Sequence, residues 1–171
     1  MIKAVNSSLL WGPMSRLGLW VVVATFALDQ AHKWWMIHVY RIGERGRVHL
    51  APFLDLVFVL NKGVSYGLLH NTGPWLLTGF AVVTSLLLWG WLSHATSNRV
   101  IAWSLGLIIG GALANALDRV LLGGVADFFS LHAFGFYWYV FNIADVAIVA
   151  GVVGLLYDSF WTSRKDASKA A

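Results

Sequence analysis

Four stretches of this chain are apolar over about the length a helix needs to cross a bilayer, and that recurrence limits the fold more than any single motif does. A hydrocarbon layer of about 30 Å takes about 20 residues of helix. The candidate spans are residues 17–35, 75–92, 101–120 and 137–157. The second carries no charge at all, whereas each of the others holds ionisable residues near one end. Only 12% of the 171 residues are charged, about half the share usual for a soluble domain. The composition therefore points to one integral-membrane domain, and the 10 Trp and 5 Tyr suit residues that gather where bilayer meets water.

The expected fold is an all-α membrane protein of four helices, with a small β-like region at the interface between the first two. That region contains "VHLAPFLDLVFVLNKGVSYGLL", whose β-branched alternation and breaks at Gly63 and Gly67 suggest short strands. Lys3 and Arg16 precede the first apolar run as in a signal sequence, but no small-residue cleavage site follows, so the run reads as an uncleaved span. Residues 162–171 read as a disordered tail. Apart from Lys33 within the first span, the Lys and Arg divide six against five between the two sides, which favours both termini in the cytoplasm. The net charge of +4 is scattered and forms no stripe for nucleic acid.

With four alternating spans, the polar residues collect on one side. Asp29 and Lys33 close the first span, Asn61 lies in the loop that follows, and Asn115, Asp118 and Arg119 close the third. Asp127 follows in the next loop, and Asn142 and Asp145 open the fourth. A carboxylate inside a spanning helix is expensive, about 2.5–3.5 kcal/mol at its centre, so this clustering calls for a purpose. The 17 residues between Asp127 and Asp145 are too few to cross and return, which keeps both carboxylates on the same side. A loop folding back from Asp127 brings them together.

Two adjacent carboxylates ionise one at a time, so one serves as general base towards water while the other donates a proton. Such chemistry needs no cofactor, and the absence of cysteine excludes a thiol nucleophile, a thiolate metal site and a disulfide framework. Simpler readings compete at each position. Asp127 alone reads equally well as a helix cap, and Asp145, several residues into the span, less so. Asp118 beside Arg119 suggests a structural ion pair, and Lys33 beside Asp29 suggests a lysine reaching towards head groups. His132 is the only histidine near the cluster, so no metal site is expected. The aromatic run "FGFYWY" reads as an interfacial belt, and the glycines of "GGALAN" as points of close helix packing.

In order, "LDQAHK", "NKGVSYG", "GGALANALDR", "GGVADF" and "FNIADVAI" resemble the lipoprotein signal peptidases, signal peptidase II, over roughly residues 28–158. The resemblance implies a bacterial inner-membrane aspartyl endopeptidase that cuts the signal peptide from prolipoproteins just before a diacylglyceryl-modified cysteine. It matches Asp127 and Asp145 to the catalytic pair, and Asn142, Asp29, Lys33, Asn61, Asn115, Asp118 and Arg119 to residues around the site. It also implies cytoplasmic termini, a site near the outer face, and lipidated substrates and membrane lipids as partners; a monomer suffices. Ala114 stands where a glycine is common, and Lys62, Val64, Ser65 and Val146 also depart from the usual pattern. The competing readings are a small transporter or proton-relay subunit and a non-catalytic scaffold.

Overall fold

A computed structural model describes residues 10–63, 74–95 and 98–170. Gly67, Val64, Ser65, Lys3 and the middle of the polar connection at 96–97 lie outside the described residues. Helix α1 (Ser15–Trp34) runs into a single π-helical segment, Trp35–Val39, and a short helix α2 (Ile42–Arg45). Strands β1 (Val48–Ala51) and β2 (Leu54–Asn61) follow, then helices α3 (Pro74–Ala95) and α4 (Arg99–Leu122). Strands β3 (Val125–Ala133) and β4 (Phe136–Phe141) lead into the last helix, α5 (Ile143–Ala170).

The helices pack around α4. Of its span 56% is buried inside the molecule, against 22% for α3 and 17% for α5, so those two turn most of their apolar surface outwards. Gly110 and Gly111 permit this central position from opposite sides. A Cβ on Gly110 would lie 2.8 Å from the Val22 carbonyl oxygen of α1, and one on Gly111 would lie 2.6 Å from the Ala144 carbonyl oxygen of α5. Close backbone approach of this kind is what small residues supply in apolar helix packing. Contacts between Ser104 and Gly151 at one end and between Asn115 and Asp145 at the other make α4 and α5 antiparallel. Gly106 on Val21 and Gly110 on Thr25 make α1 and α4 parallel. Asn98 caps α4 by accepting the Val100 N–H at 2.8 Å, and Gly123, at φ +73°, ends it in the left-handed region that glycine favours.

Among the described residues, three helices are long and apolar enough to cross a membrane: Trp75–His94, Arg99–Leu122 and Ile143–Trp161. The α1 helix carries Arg16, Asp29 and Lys33 and is not among them. The fold is therefore mostly helical with a small antiparallel sheet, and the all-α expectation is corrected. All four strands form one sheet in the order β1-β2-β3-β4. Strands between the first two apolar spans were expected, and β1 and β2 lie there; their partners, β3 and β4, were not expected. Residues 137–141, read as the opening of the fourth span, belong to β4, so that helix starts at Ile143. An unbroken apolar run does not distinguish a strand from a helix by its period, but "FYWYVF" is aromatic and β-branched, the composition strands prefer. Helix α5 continues to Ala170 through the stretch expected to be a disordered tail, where Ala and Lys favour helix.

The sheet sits at the end of the bundle where α1 and α4 finish and α5 begins. Met36, Ile42, Leu56, Ala126 and Phe128 form the core that fastens it there. Phe134 and Gly135, at φ +52° and +81°, make the two-residue turn between β3 and β4, the kind that matches strand twist in tight hairpins. This hairpin is the fold-back that returns the chain from Asp127 to α5.

Candidate active site

The nine residues singled out in the sequence meet at this one end. Helix α1 supplies Asp29 and Lys33; α4 supplies Asn115, Asp118 and Arg119; β2 supplies Asn61 and β3 Asp127; the start of α5 supplies Asn142 and Asp145. A cleft of about 320 Å³ is lined by Asp127 and Asp145 together with Asn61, Asn115 and Arg119, and is closed on its apolar side by α3 and α4.

Each carboxylate is held by asparagines. Asp127 Oδ1 accepts from Asn142 Nδ2 at 2.6 Å, and its Oδ2 accepts from Asn61 Nδ2 at 3.2 Å. Asp145 Oδ1 accepts from Asn115 Nδ2 at 2.9 Å. Asn142 is the residue just before α5, and it forms a reciprocal cap with Asp145. The Asp145 N–H donates to Asn142 Oδ1 at 3.0 Å, while the Asn142 N–H donates to Asp145 Oδ2 at 3.2 Å. The helix starts later than expected, so Asp145 lies in its first turn and acts as a cap after all. Asp127 caps no helix; it lies in β3 opposite Val59, beside an irregularity in the β2–β3 ladder. Burial, reinforced by the charge of Asp145, raises the Asp127 pKa to about 7.

Behind the cleft lies a buried charge cluster. Lys33 Nζ stands 2.7 Å from both Asp29 Oδ2 and Asp118 Oδ2, and it donates to Asn115 Oδ1 at 3.0 Å. Lys33 is 3% exposed, so it does not reach head groups as the sequence suggested. Nor does Asp118 pair with Arg119: the nearer cation across α1 takes it. The second oxygens are also engaged, Asp29 Oδ1 by the Ala144 N–H at 2.8 Å and Asp118 Oδ1 by Gln30 Nε2 at 2.9 Å. Asp118 Oδ2 further accepts the Ala126 N–H at 3.1 Å, next to Asp127. Arg119 instead braces the backbone, donating to the carbonyls of Asn115 at 3.1 Å and Gly63 at 3.2 Å. Asn115 joins the two systems, since it accepts from Lys33 and from Asn142 and donates to Asp145.

Gln30 was passed over in the sequence. It bonds Asp118 and, at 3.3 Å, the Ala114 carbonyl; its place between Asp29 and Lys33 was the available signal. A second omission lies farther out on the sheet. His132 has a histidine neighbour, contrary to expectation: His49 and His132 both approach Asp55, at 2.6 and 3.2 Å. The two are 83 positions apart in the chain and meet only because β1, β2 and β3 align. The Arg47 guanidinium, 2.6 Å away, holds the Asp55 pKa at about 2, below the usual carboxylate range.

Apolar helices thus end at a cleft lined by two asparagine-held carboxylates, an arrangement that suits a membrane peptidase of the aspartic class. The chain belongs to the signal peptidase (SPase) II family, whose model matches residues 21–161. It is 50% identical over 156 residues to a lipoprotein signal peptidase of Methylobacterium sp. (strain 4-46), covering 89% of this chain and 94% of that one. It is 52% identical over 136 residues to the lipoprotein signal peptidase of Beijerinckia indica subsp. indica, covering 78% and 81%. Among solved structures it resembles a bacterial membrane enzyme determined by the in meso method at 2.3 Å, with a TM-score of 0.76 at 25% identity over 86% of this chain and 90% of that one. Family membership supports a peptidase and gives no support to the transporter or proton-relay alternative.

Proposed function

We propose that this chain is the aspartyl endopeptidase of a bacterial inner membrane that removes signal peptides from diacylglyceryl-modified prolipoproteins, with Asp127 and Asp145 as its catalytic pair. The observation that carries the assignment is that both carboxylates line one cleft, each fixed by an asparagine side chain. Burial, and after it the charge of Asp145, raise the Asp127 pKa, and in this reading Asp127 carries the proton of the pair while Asp145 serves as the base.

Asp145 takes a proton from water as the water oxygen adds to the scissile carbonyl carbon, and Asp127 gives its proton to the carbonyl oxygen. In the second step the C–N bond breaks. Asp145 returns its proton to the leaving nitrogen, and Asp127 recovers one from the hydroxyl. Asn142 and Asn115 keep the two carboxylates aimed throughout, while Asp29, Lys33 and Asp118 hold the elements that carry them. Asn61 and Arg119 shape the mouth of the cleft. All of this is aspartate chemistry without a metal or cofactor.

In this reading α1 is the fourth membrane span. Its outer stripe of Leu19, Trp20, Val23 and Leu28 is exposed, while Asp29 and Lys33 are buried against α4. The alternating helix directions then give four crossings, with cytoplasmic termini and the sheet and cleft at the outer face. A lipidated substrate brings its scissile bond to that level, its acyl chains remaining in the bilayer, and a monomer is sufficient. A gel-shift assay with a diacylglyceryl-modified prolipoprotein in detergent tests the assignment. The parent should cleave it, and Asp127→Asn and Asp145→Asn should each lose cleavage by roughly a thousandfold or more, the scale of removing a catalytic group, while remaining folded. Retained activity in either variant removes that residue from the mechanism.

A further inference from the structure

On the sheet, away from the cleft, three ligand-type side chains converge from three strands. Asp55 of β2 is fully buried, and its two oxygens are used differently. Oδ2 accepts from Arg47 Nη1 at 2.6 Å; Oδ1 faces His49 Nδ1 at 2.6 Å and His132 Nε2 at 3.2 Å. His49 is the register partner of Asp55 across β1 and β2, and His132 stands two residues along β3 from Ser130, the partner of Asp55 on the other side. Alternation of side chains along a strand therefore puts the three on one face. Their ligand atoms all lie within 4.8 Å of one another.

We propose that His49, Asp55 and His132 form a binding site for one divalent transition metal of the zinc class, clamping β1, β2 and β3 together. Two imidazoles and one carboxylate, leaving a fourth position for water, are a zinc-type donor set, whereas calcium and magnesium select oxygens. Tetrahedral bonds of about 2.0–2.1 Å put ligand atoms about 3.3 Å apart. The His132–Asp55 separation of 3.2 Å already meets that spacing. The His49–Asp55 contact must open by about 0.7 Å to reach it, and His49, with 74% of its side chain exposed, has room to turn.

A separate observation concerns His132. Its Nε2 is buried and, although near Asp55, is not aligned for a hydrogen bond. Its polar neighbour there is Asp55 Oδ1 at 3.2 Å, at ion-pair distance, and a metal between them would use the nitrogen's lone pair. The surroundings resemble those that orient metal ligands. Arg47 holds the far oxygen of Asp55, and the Tyr137 ring, 5.0 Å from the His132 ring and itself covered by Arg47 at 4.9 Å, fixes the imidazole.

The test uses the full chain in detergent, without a polyhistidine tag and treated with chelator. It is titrated with Co²⁺ by visible absorption and with Zn²⁺ by calorimetry and thermal unfolding. One equivalent of Co²⁺ should give the bands of a four-coordinate nitrogen–oxygen site, displaced by Zn²⁺, and Zn²⁺ should raise Tm. His49→Ala and His132→Ala should each weaken binding at least tenfold and abolish the Tm rise. The His49 side chain is largely exposed and Arg47 still pairs Asp55 without it, so metal-free His49→Ala should remain folded, and this variant decides the matter if His132→Ala does not fold. Metal binding equal in the parent and His49→Ala, or no binding to the parent, overturns the proposal and leaves an ion-pair cluster only.

Discussion

Lys33→Met removes the cation at the centre of the buried cluster while keeping a side chain of similar length. Lys33 Nζ loses two contacts of 2.7 Å and one hydrogen bond of 3.0 Å. Asp29, 0% exposed, and Asp118, 3% exposed, are left without a counter-charge. They retain only the amide donors on their oxygens, from Ala144, Gln30 and Ala126. Removing one partner of a buried ion pair costs about 3–5 kcal/mol, and because both pairs share one ammonium the two losses do not add. For a chain of this size each kcal/mol moves Tm by roughly 2–4 °C, so Tm should fall by about 6–20 °C. Thermal unfolding in micelles, followed by tryptophan fluorescence at a fixed protein-to-detergent ratio, measures it. A triple variant with Asp29→Asn and Asp118→Asn added should recover most of the loss, because no buried charge then lacks a partner. A fall under about 3 °C for Lys33→Met, the scale of a solvated surface pair, or no recovery in the triple variant, refutes the account of a dry, paired cluster.

Two further outcomes are expected. An Asp127 pKa of about 7 in the folded chain, against 3.8 unfolded, means the native state holds more protons between those values, so this residue makes stability fall as pH rises from about 4 to 7. The penalty is absent below that window and complete above it; Asp127→Asn should flatten the slope of Tm against pH there, and an unchanged slope would remove Asp127 as its source. Gly111→Val places a Cβ 2.6 Å from the Ala144 carbonyl oxygen, whereas nothing lies within 4 Å of a Cβ at Gly79. Overpacking should cost Gly111→Val about 1–3 kcal/mol and depress cleavage by shifting the start of α5, with Gly79→Val close to the parent; equal effects at the two glycines would contradict the packing of α4 on α5.

Helices α3 and α4 were legible because an apolar run with few charges has one reading at that length. The site was legible for a related reason: each Asn and Asp in an apolar helix is costly, so it stands out where it has been kept. What could not be read was partner choice. Asp118 is next to Arg119 in the chain, yet it pairs with Lys33, because α1 and α4 lie parallel and bring the lysine closer. A cap at Asp145 was given less weight than one at Asp127 because "FYWYVF" passes equally well for helix or strand, and moving the helix start to Ile143 puts Asp145 in the first turn. The histidine pair around Asp55 depends on strand register, which alternation within any one strand does not specify.

The reciprocal cap between Asn142 and Asp145 has a consequence for biogenesis. The same carboxylate that would activate water also satisfies a backbone N–H at the start of α5, so winding that helix and aiming the base are a single event. Asp127 receives its shortest bond from the capping asparagine, and the elements involved, β3 and α5, follow α1, α3 and α4 in the chain. On the proposed assignment, a nascent copy with α1, α3 and α4 already inserted would lack its pair of acids and stay inert towards neighbouring polypeptides until α5 docks against α4.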